Sequence, residues 1–230
     1  MTIFKYAMIR NFRSPVSYLL GLLVPVILIF AMATIWTYAP VVGLSTMIIL
    51  MLMNSALLAG LILEDRVDGS IIKILVSPVS MASYIFQNLL AAILPVALQF
   101  VLLGIVGLFR YNWAVEFTVG VTVALLICAV STAAFSFCWN MFFKSKSGSR
   151  YSFLFAAALI VLLSGLMIPI EALPGFMQHV GAILHPYWFT RAVMALHNYG
   201  ITVQFWIYNT ISLFMGVGFL LIGSRRRRMQ

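Results

Sequence analysis

Long uncharged runs predict where the chain crosses a membrane. Five long runs contain no Asp, Glu, Lys or Arg: 14–63, 74–109, 117–143, 151–170 and 192–224. A spanning helix needs about 20 mostly apolar residues, because each adds about 1.5 Å across a hydrocarbon core of about 30 Å. The first run is long enough for two spans, and Pro40 and Gly43 divide it. We therefore predict six transmembrane helices, near 16–37, 41–63, 82–109, 118–143, 151–170 and 203–223.

One stretch, GLMIPIEALPGFMQHVGAILHP at 165–186, interrupts this pattern with three prolines, one glutamate and two histidines. Prolines and glycines end a helix or prevent a long one from forming. The residues expected to do so here are Ser164, Gly165, Pro169, Pro174, Gly175 and Pro186. In place of a seventh full span, we predict two short helices near 175–184 and 187–197, against the outer leaflet.

Composition and charge place the chain in lipid and orient it. The sequence is 63% hydrophobic and 8% charged, with a mean hydropathy of +1.09, which a soluble domain of 230 residues does not bury. Of its 14 Lys and Arg residues, only Arg110 and Arg191 fall opposite the predicted termini. Basic residues concentrate on the cytoplasmic side, so we predict an inner (cytoplasmic) membrane protein with both termini cytoplasmic. Nucleic acid is not expected as a partner, because the basic residues flank spans rather than form one basic face.

The first 14 residues predict a helix lying on the membrane surface. At about 100° per residue, one half of this helix is largely apolar and the other carries Lys5, Arg10 and Arg13. The alternative is a frayed basic tail.

No signature of nucleotide binding or hydrolysis occurs in the sequence. Walker A, H-E-x-x-H and G-x-S-x-G sequences are all missing, so we expect no catalytic residue, metal or cofactor in this chain. A metal site is the alternative on the outer side, because histidine and carboxylate suit zinc. Its candidates, Glu171, His179, His185 and His197, are not compactly spaced. We expect Glu171 to cap a short helix or to pair with Arg191.

The connection between the second and third spans, at 64–81, is unusual for a cytoplasmic loop. It begins with three acids, Glu64, Asp65 and Asp68, and continues into the apolar segment SIIKILV at 70–76, bounded by Gly69 and Pro78. A short helix this apolar, held in the cytosol, has to bury its surface against another structure. It either folds back onto the membrane or docks in a groove of a partner protein.

Two sequence motifs, one in this loop and one nearer the C-terminus, resemble those of the permease subunit of ABC-2 type transporters. The first is a loop motif formed by Glu64, Gly69, Ser70, Leu75, Pro78 and Ser80. The second begins near the end of the fifth span and comprises Ser164, Gly165, Pro169, Leu173, Pro174, Pro186 and Arg191. The sequence departs from the family pattern at Ile72, Met81 and Asn88, which leaves the loop less charged.

The resemblance implies the fold, the partners and the sites. The fold is all-α, a single membrane domain over 1–230 with an interfacial helix at 1–14, a coupling-helix loop at 64–81 and an external re-entrant hairpin at 171–202. Two ABC ATPase subunits, which carry ATP and Mg, dock on the loop, and a second permease copy or paralogue completes the transporter. The docking residues are Glu64, Gly69, Ile71, Ile72, Lys73, Ile74, Leu75 and Pro78. The external gate comprises Pro169, Glu171, Pro174, Pro186 and Arg191.

The expected substrate is amphipathic or lipid-like, because the spans contain no charge and ion-coupled carriers normally need one. We predict a pathway along the second and fifth spans, at the interface of a permease dimer, with Met51, Asn54, Ser164 and Gly165. Asn54 either faces that pathway or bonds a neighbouring helix. The second motif resembles the drug- and lipid-exporting branch of the family. Export of a lipid-linked polysaccharide is one alternative, and a small intramembrane enzyme with a Glu/His external site is another.

Overall fold

The computed structural model describes residues 2–13, 15–69 and 80–227. They contain helices and connecting turns, and no β-strand occurs among them. The helices are α1 (Thr2–Arg13), α2 (Pro15–Tyr18), α3 (Val24–Ala31), α4 (Ala33–Tyr38), α5 (Pro40–Val67), α6 (Met81–Arg110), α7 (Val115–Asn140), α8 (Lys146–Leu163), α9 (Gly175–Gly181), α10 (His185–Tyr199) and α11 (Val203–Arg227). A π-helical turn at Leu19–Leu23 and a 3-10 turn at Ile170–Ala172 complete the set.

Within the described ranges, four helices are long and apolar enough to cross a membrane: Ser83–Arg110, Val115–Asn140, Lys146–Leu163 and Val203–Arg225. They confirm the third to sixth predicted spans. Two shorter apolar helical stretches, Gly21–Ala31 and Pro40–Ser55, fall where the first two spans were predicted. The chain is thus an all-α, polytopic membrane protein.

The fifth span is shifted relative to its predicted bounds of 151–170. It begins at Lys146, because the Ser145 hydroxyl accepts a hydrogen bond from the Gly148 N–H at 3.1 Å and caps the helix. It ends at Leu163, since Gly165 two residues later has a positive φ of 78° that only glycine adopts freely. Three charged residues, Lys144, Lys146 and Arg150, mark the start of this helix, which is why a search for uncharged runs places it too late.

The first span is a series of short helices rather than the single helix predicted at 16–37. α2, the π-helical turn, α3 and α4 follow one another from Pro15 to Tyr38. Pro25 lacks the N–H that would bond the Gly21 carbonyl one turn earlier. The side-chain amide of Gln99, in α6, donates to this carbonyl instead. A polar residue on a neighbouring helix therefore compensates the break inside the membrane.

α7 lies at the centre of the bundle and packs against α5, α6, α10 and α11. It is buried over 61% of its apolar stretch, compared with 22% in α11. Small residues on α7 let its neighbours approach closely, and the Ser131 hydroxyl donates to the Ser212 carbonyl of α11 at 2.7 Å. The main apolar core includes Ile48, Leu52, Leu103, Leu125 and Phe205.

Candidate transport site

A polar cluster ties α1 to the ends of α5 and α6 that flank the predicted coupling loop. Arg10 donates through Nη1 to both carboxylate oxygens of Asp65 at 2.7 Å, and through Nη2 to Asn88 Oδ1 at 3.1 Å. The Tyr84 hydroxyl also donates to Asp65. The Asn11 side-chain amide donates to the Ala91 carbonyl at 3.3 Å. Charge-assisted bonds to a half-buried carboxylate are stronger than those of an exposed pair, so α1 is held firmly against α5 and α6.

A second set of contacts holds α5 to the connection between α7 and α8. Glu64 forms an ion pair with Lys146 at 2.5 Å. Arg66 donates to the main-chain carbonyls of Asn140 and Met141, each at 3.5 Å, and to that of Phe143. Burial lowers the pKa of Arg66 from its ordinary value, but an arginine remains charged at neutral pH. The end of α5 that carries Glu64 and Arg66 is therefore anchored on two sides.

The loop between these anchors carries most of the predicted docking residues. Glu64 and Gly69 lie at the end of α5, and Gly69 has a φ of 72°. On the far side, the Ser80 hydroxyl accepts from the Ser83 N–H at 3.3 Å and caps α6. The other predicted docking residues, Ile71, Ile72, Lys73, Ile74, Leu75 and Pro78, lie outside the described ranges.

Asn54 lies in the middle of α5, against the π-helical turn of the first span. It is 5% exposed, and its Oδ1 atom has no hydrogen-bond partner among the described residues. Gly21 lies so close that a β-carbon there would collide with the Asn54 amide. Cavities of about 10 and 20 Å³ flank the residue, and Met51 lines the smaller one. Asn54 and Met51 thus face the inside of the protomer, towards the first span and α6.

The other two predicted pathway residues lie at the end of α8. Ser164 is fully buried, and its hydroxyl finds no hydrogen-bond partner in the part of the chain that the structure describes. Gly165 turns the chain back so that Ile170 packs directly over it. Of the predicted gate residues, Pro169 and Pro174 are exposed on either side of the 3-10 turn. Ser164 and Gly165 therefore lie at a buried turn that Ile170 and Thr190 cover.

α10 descends more deeply between the helices than the sequence predicts. Its first residue, His185, is 1% exposed, and His185 Nε2 lies 2.9 Å from the Thr132 hydroxyl of α7. The imidazole packs between Phe135 and Phe219, with ring centroids 5.5 and 6.1 Å away. Thr132 is about two-thirds of the way along α7 from Val115. The sequence predicted short helices near 175–184 and 187–197, whereas α10 begins at His185, which is buried against α7.

The rest of the interrupted segment returns along α7. Gly181, at the end of α9, packs against the Leu163 carbonyl, and Leu196 of α10 packs against Gly120 near the start of α7. α10 therefore runs antiparallel to α7 over most of its length. The segment enters the bundle and leaves it on the same side, which is the geometry of a re-entrant hairpin. The prolines in the sequence indicate where the helix is interrupted. They do not indicate how far α10 extends between the other helices.

The outer acid and histidine residues do not gather into one site. Glu171 pairs with Arg191 at 3.6 Å, and Arg191 lies 5.9 Å from the centre of the Tyr208 ring. His179 contacts the Gly175 carbonyl within its own helix, and His185 contacts Thr132. His197 packs on the Phe117 ring. No group of three or more metal-ligating side chains occurs in the described part of the chain.

A comparison with known protein families decides the identity. The sequence model of one family, described as ABC-2 type transporter, matches residues 1–197. The chain belongs to that family. No curated protein matches it. The family match covers α1 to α9 and nearly all of α10. It confirms the resemblance seen in the two motifs, and it supports a permease of a type-2 ABC transporter.

Proposed function

We propose that this ABC-2 chain is the permease subunit of an ATP-driven exporter for an amphipathic or lipid-like compound. The observation that supports it best is the double anchorage of the end of α5, from which the loop at 70–79 continues. Asp65 pairs with Arg10 on one side of α5, and Arg66 donates to the carbonyls of Asn140 and Met141 on the other. A loop that transmits a rotation needs a rigid base, because a mobile one absorbs the motion.

The loop's sequence supports docking on a separate ATPase. Ile71, Ile74 and Leu75 are apolar in a segment that the distribution of basic residues predicts to be cytosolic. The chain contains no Walker A sequence, so the proposed partner supplies ATP and Mg. Two such subunits would bind a permease pair, formed with a second copy or a paralogue. The proposed location is the cytoplasmic membrane, with both termini in the cytosol.

The uncharged spans support the proposed class of substrate. Placing an Arg or Asp at the centre of a span costs about 2.5–3.5 kcal/mol, and a carrier for ions tolerates that cost because it needs the group. The polar residues described inside this bundle are neutral ones such as Asn54, Gln99 and Thr132. Shape and apolar contact would then select the substrate, as in the drug- and lipid-exporting branch that the second motif resembles.

Site-specific photo-crosslinking in the native host tests the proposal. A photoreactive amino acid at Ile74 is expected to capture a cytosolic protein that contains a Walker A motif, identified by mass spectrometry. The same amino acid at Val180, an exposed position of α9, is the control and should capture no ATPase. If full-length Ile74 variants in the membrane capture no ATPase, the proposed coupling role is wrong.

A further inference from the structure

A cavity of about 370 Å³ opens at the predicted outer end of the bundle. It lies where α7 begins, where α10 ends and where α4 meets α5. This volume is within the range of small-ligand sites, about 300–1,000 Å³. The lining residues that matter for chemistry are Trp113, Glu116, Phe117 and His197, together with Leu196 and Gly200.

Aromatic rings in fixed positions form one wall of this outer cavity. Trp113 is held by its indole N–H, which donates to the Trp36 carbonyl at 2.9 Å. Phe117 meets Trp113 edge to face, with centroids 5.3 Å apart, and it contacts the His197 ring at 6.0 Å. The rings are therefore held in place before any ligand arrives. Aromatic faces attract organic cations through the negative potential of the ring.

A carboxylate with no cationic partner lies beside these rings. Glu116 makes no ion pair within the described ranges, whereas the other outer acid, Glu171, pairs with Arg191. One Glu116 oxygen accepts the Ile201 N–H at 2.6 Å, which fixes the direction of the group. Glu116 and His197 are only two potential metal ligands, fewer than the three or four that protein zinc sites use.

We propose that this outer cavity binds an organic ammonium group, held by the Glu116 carboxylate and the Trp113 and Phe117 rings. The combination supplies both the opposite charge and the aromatic surface that such a cation requires. The group belongs either to a free cationic amphiphile or to the headgroup of an aminolipid in the outer leaflet. The inference does not depend on the proposed export function, since binding requires neither ATP nor a partner subunit.

A purely structural role for Glu116 makes a different prediction. Its carboxylate sits in the first turn of α7 and joins this turn to the connection before α11, which stabilises the fold whatever binds outside. Glu116→Gln keeps an oxygen that accepts the Ile201 N–H but removes the charge. If Glu116 were only structural, this variant would bind ammonium ligands as the wild type does.

The test uses choline as the probe and the full chain in nanodiscs of phosphatidylglycerol, which contains no amine. The neutral control is 3,3-dimethyl-1-butanol, in which carbon replaces the nitrogen of choline. We expect choline to bind, and the alcohol to bind about tenfold more weakly or not at all. Glu116→Gln should weaken choline binding by about tenfold or more, whereas Glu171→Gln should leave it unchanged. Titration calorimetry or saturation-transfer NMR measures each affinity.

A second variant and a second lipid complete the experiment. Phe117→Leu keeps the charge and removes one ring, and we expect it to weaken choline but not the alcohol. If added phosphatidylethanolamine competes with choline, the natural occupant is a lipid headgroup. If it does not compete, the occupant is a free amphiphile. Either result supports the site. The inference is overturned if wild type does not bind choline, if the alcohol binds equally well, or if Glu116→Gln binds as wild type does.

Discussion

His185 Nε2 and Thr132 Oγ1 lie 2.9 Å apart in the interior of the bundle, where the re-entrant α10 meets the central α7. This hydrogen bond fixes the deep end of α10. The aromatic rings of Phe135 and Phe219 enclose the imidazole, so water does not replace the partner if it is lost. The contact makes α10 part of the bundle core rather than a loop lying on its surface.

Thr132→Val should therefore loosen α10. The substitution keeps the shape of the side chain but leaves the buried imidazole without its partner, at an expected cost of about 1 kcal/mol. The measurement is the thermal unfolding midpoint in detergent. Thr190→Val is the matched control, because the Thr190 hydroxyl bonds only to the Pro186 carbonyl of its own helix. Equal losses in the two variants would contradict the role given to His185.

Asp65→Asn should release α1 from the bundle. Asp65 accepts two hydrogen bonds from Arg10 and one from Tyr84, and the neutral amide cannot reproduce that charge-assisted set. We expect faster trypsin cleavage after Lys5, Arg10 and Arg13 in inside-out vesicles. Glu64→Gln is the control, since its exposed pair with Lys146 is worth at most about 1 kcal/mol. Similar cleavage rates in both variants would show that Asp65 does not hold α1.

Asn54→Leu should change substrate preference more than it changes folding. Hydrogen bonds inside membranes average only about 0.6 kcal/mol, and Asn54 Oδ1 has no partner to lose. The measurement compares efflux of several amphiphiles at matched protein abundance. Gln99→Leu is the contrasting variant, because it removes the donor to Gly21 and should lower abundance. If the Asn54→Leu variant exports every tested compound as the wild type does, Asn54 serves only in packing and does not contact the substrate.

Ile74→Asp should abolish stimulation of the partner ATPase while the chain still inserts in the membrane. A charge at the centre of an apolar contact leaves an ion desolvated without a partner. Val67→Asp is the control, because Val67 is exposed at the end of α5. ATPase activity of the purified complex is the readout. Normal stimulation in Ile74→Asp would show that the loop docks in another way.

The sequence was sufficient to predict the helical class, four of the spans and the break after the fifth span. Uncharged runs and prolines carry those signals directly. The broken first span was missed because Pro25 and Gly21 lie within an apolar run, and the compensating Gln99 is far away in sequence. Partners separated by many residues are visible only once the helices pack.

The polar clusters show the same limit. The excess of acids at 64–68 signals an unusual loop, but nothing in the sequence pairs Asp65 with Arg10 rather than with another base. Glu116 gave no signal either, because it is a single acid at a helix start. Trp113 and Phe117 are its neighbours in sequence, but His197 comes from α10 and meets them only in the folded chain.

We propose that ATP binding by the partner subunits opens the predicted external gate, and the accessibility of a cysteine at position 164 tests this most directly. Ser164 is fully buried below the re-entrant segment, and Ser164→Cys adds little volume in a background in which Cys128 and Cys138 are replaced. A membrane-impermeant thiol reagent is applied from outside to the transporter complex. Gly175→Cys, at the exposed start of α9, is the control and should react in every state. We expect the cysteine at position 164 to be protected without nucleotide and to react when ATP and vanadate trap the complex. Equal reactivity in the two states would show that ATP does not open the gate above this position.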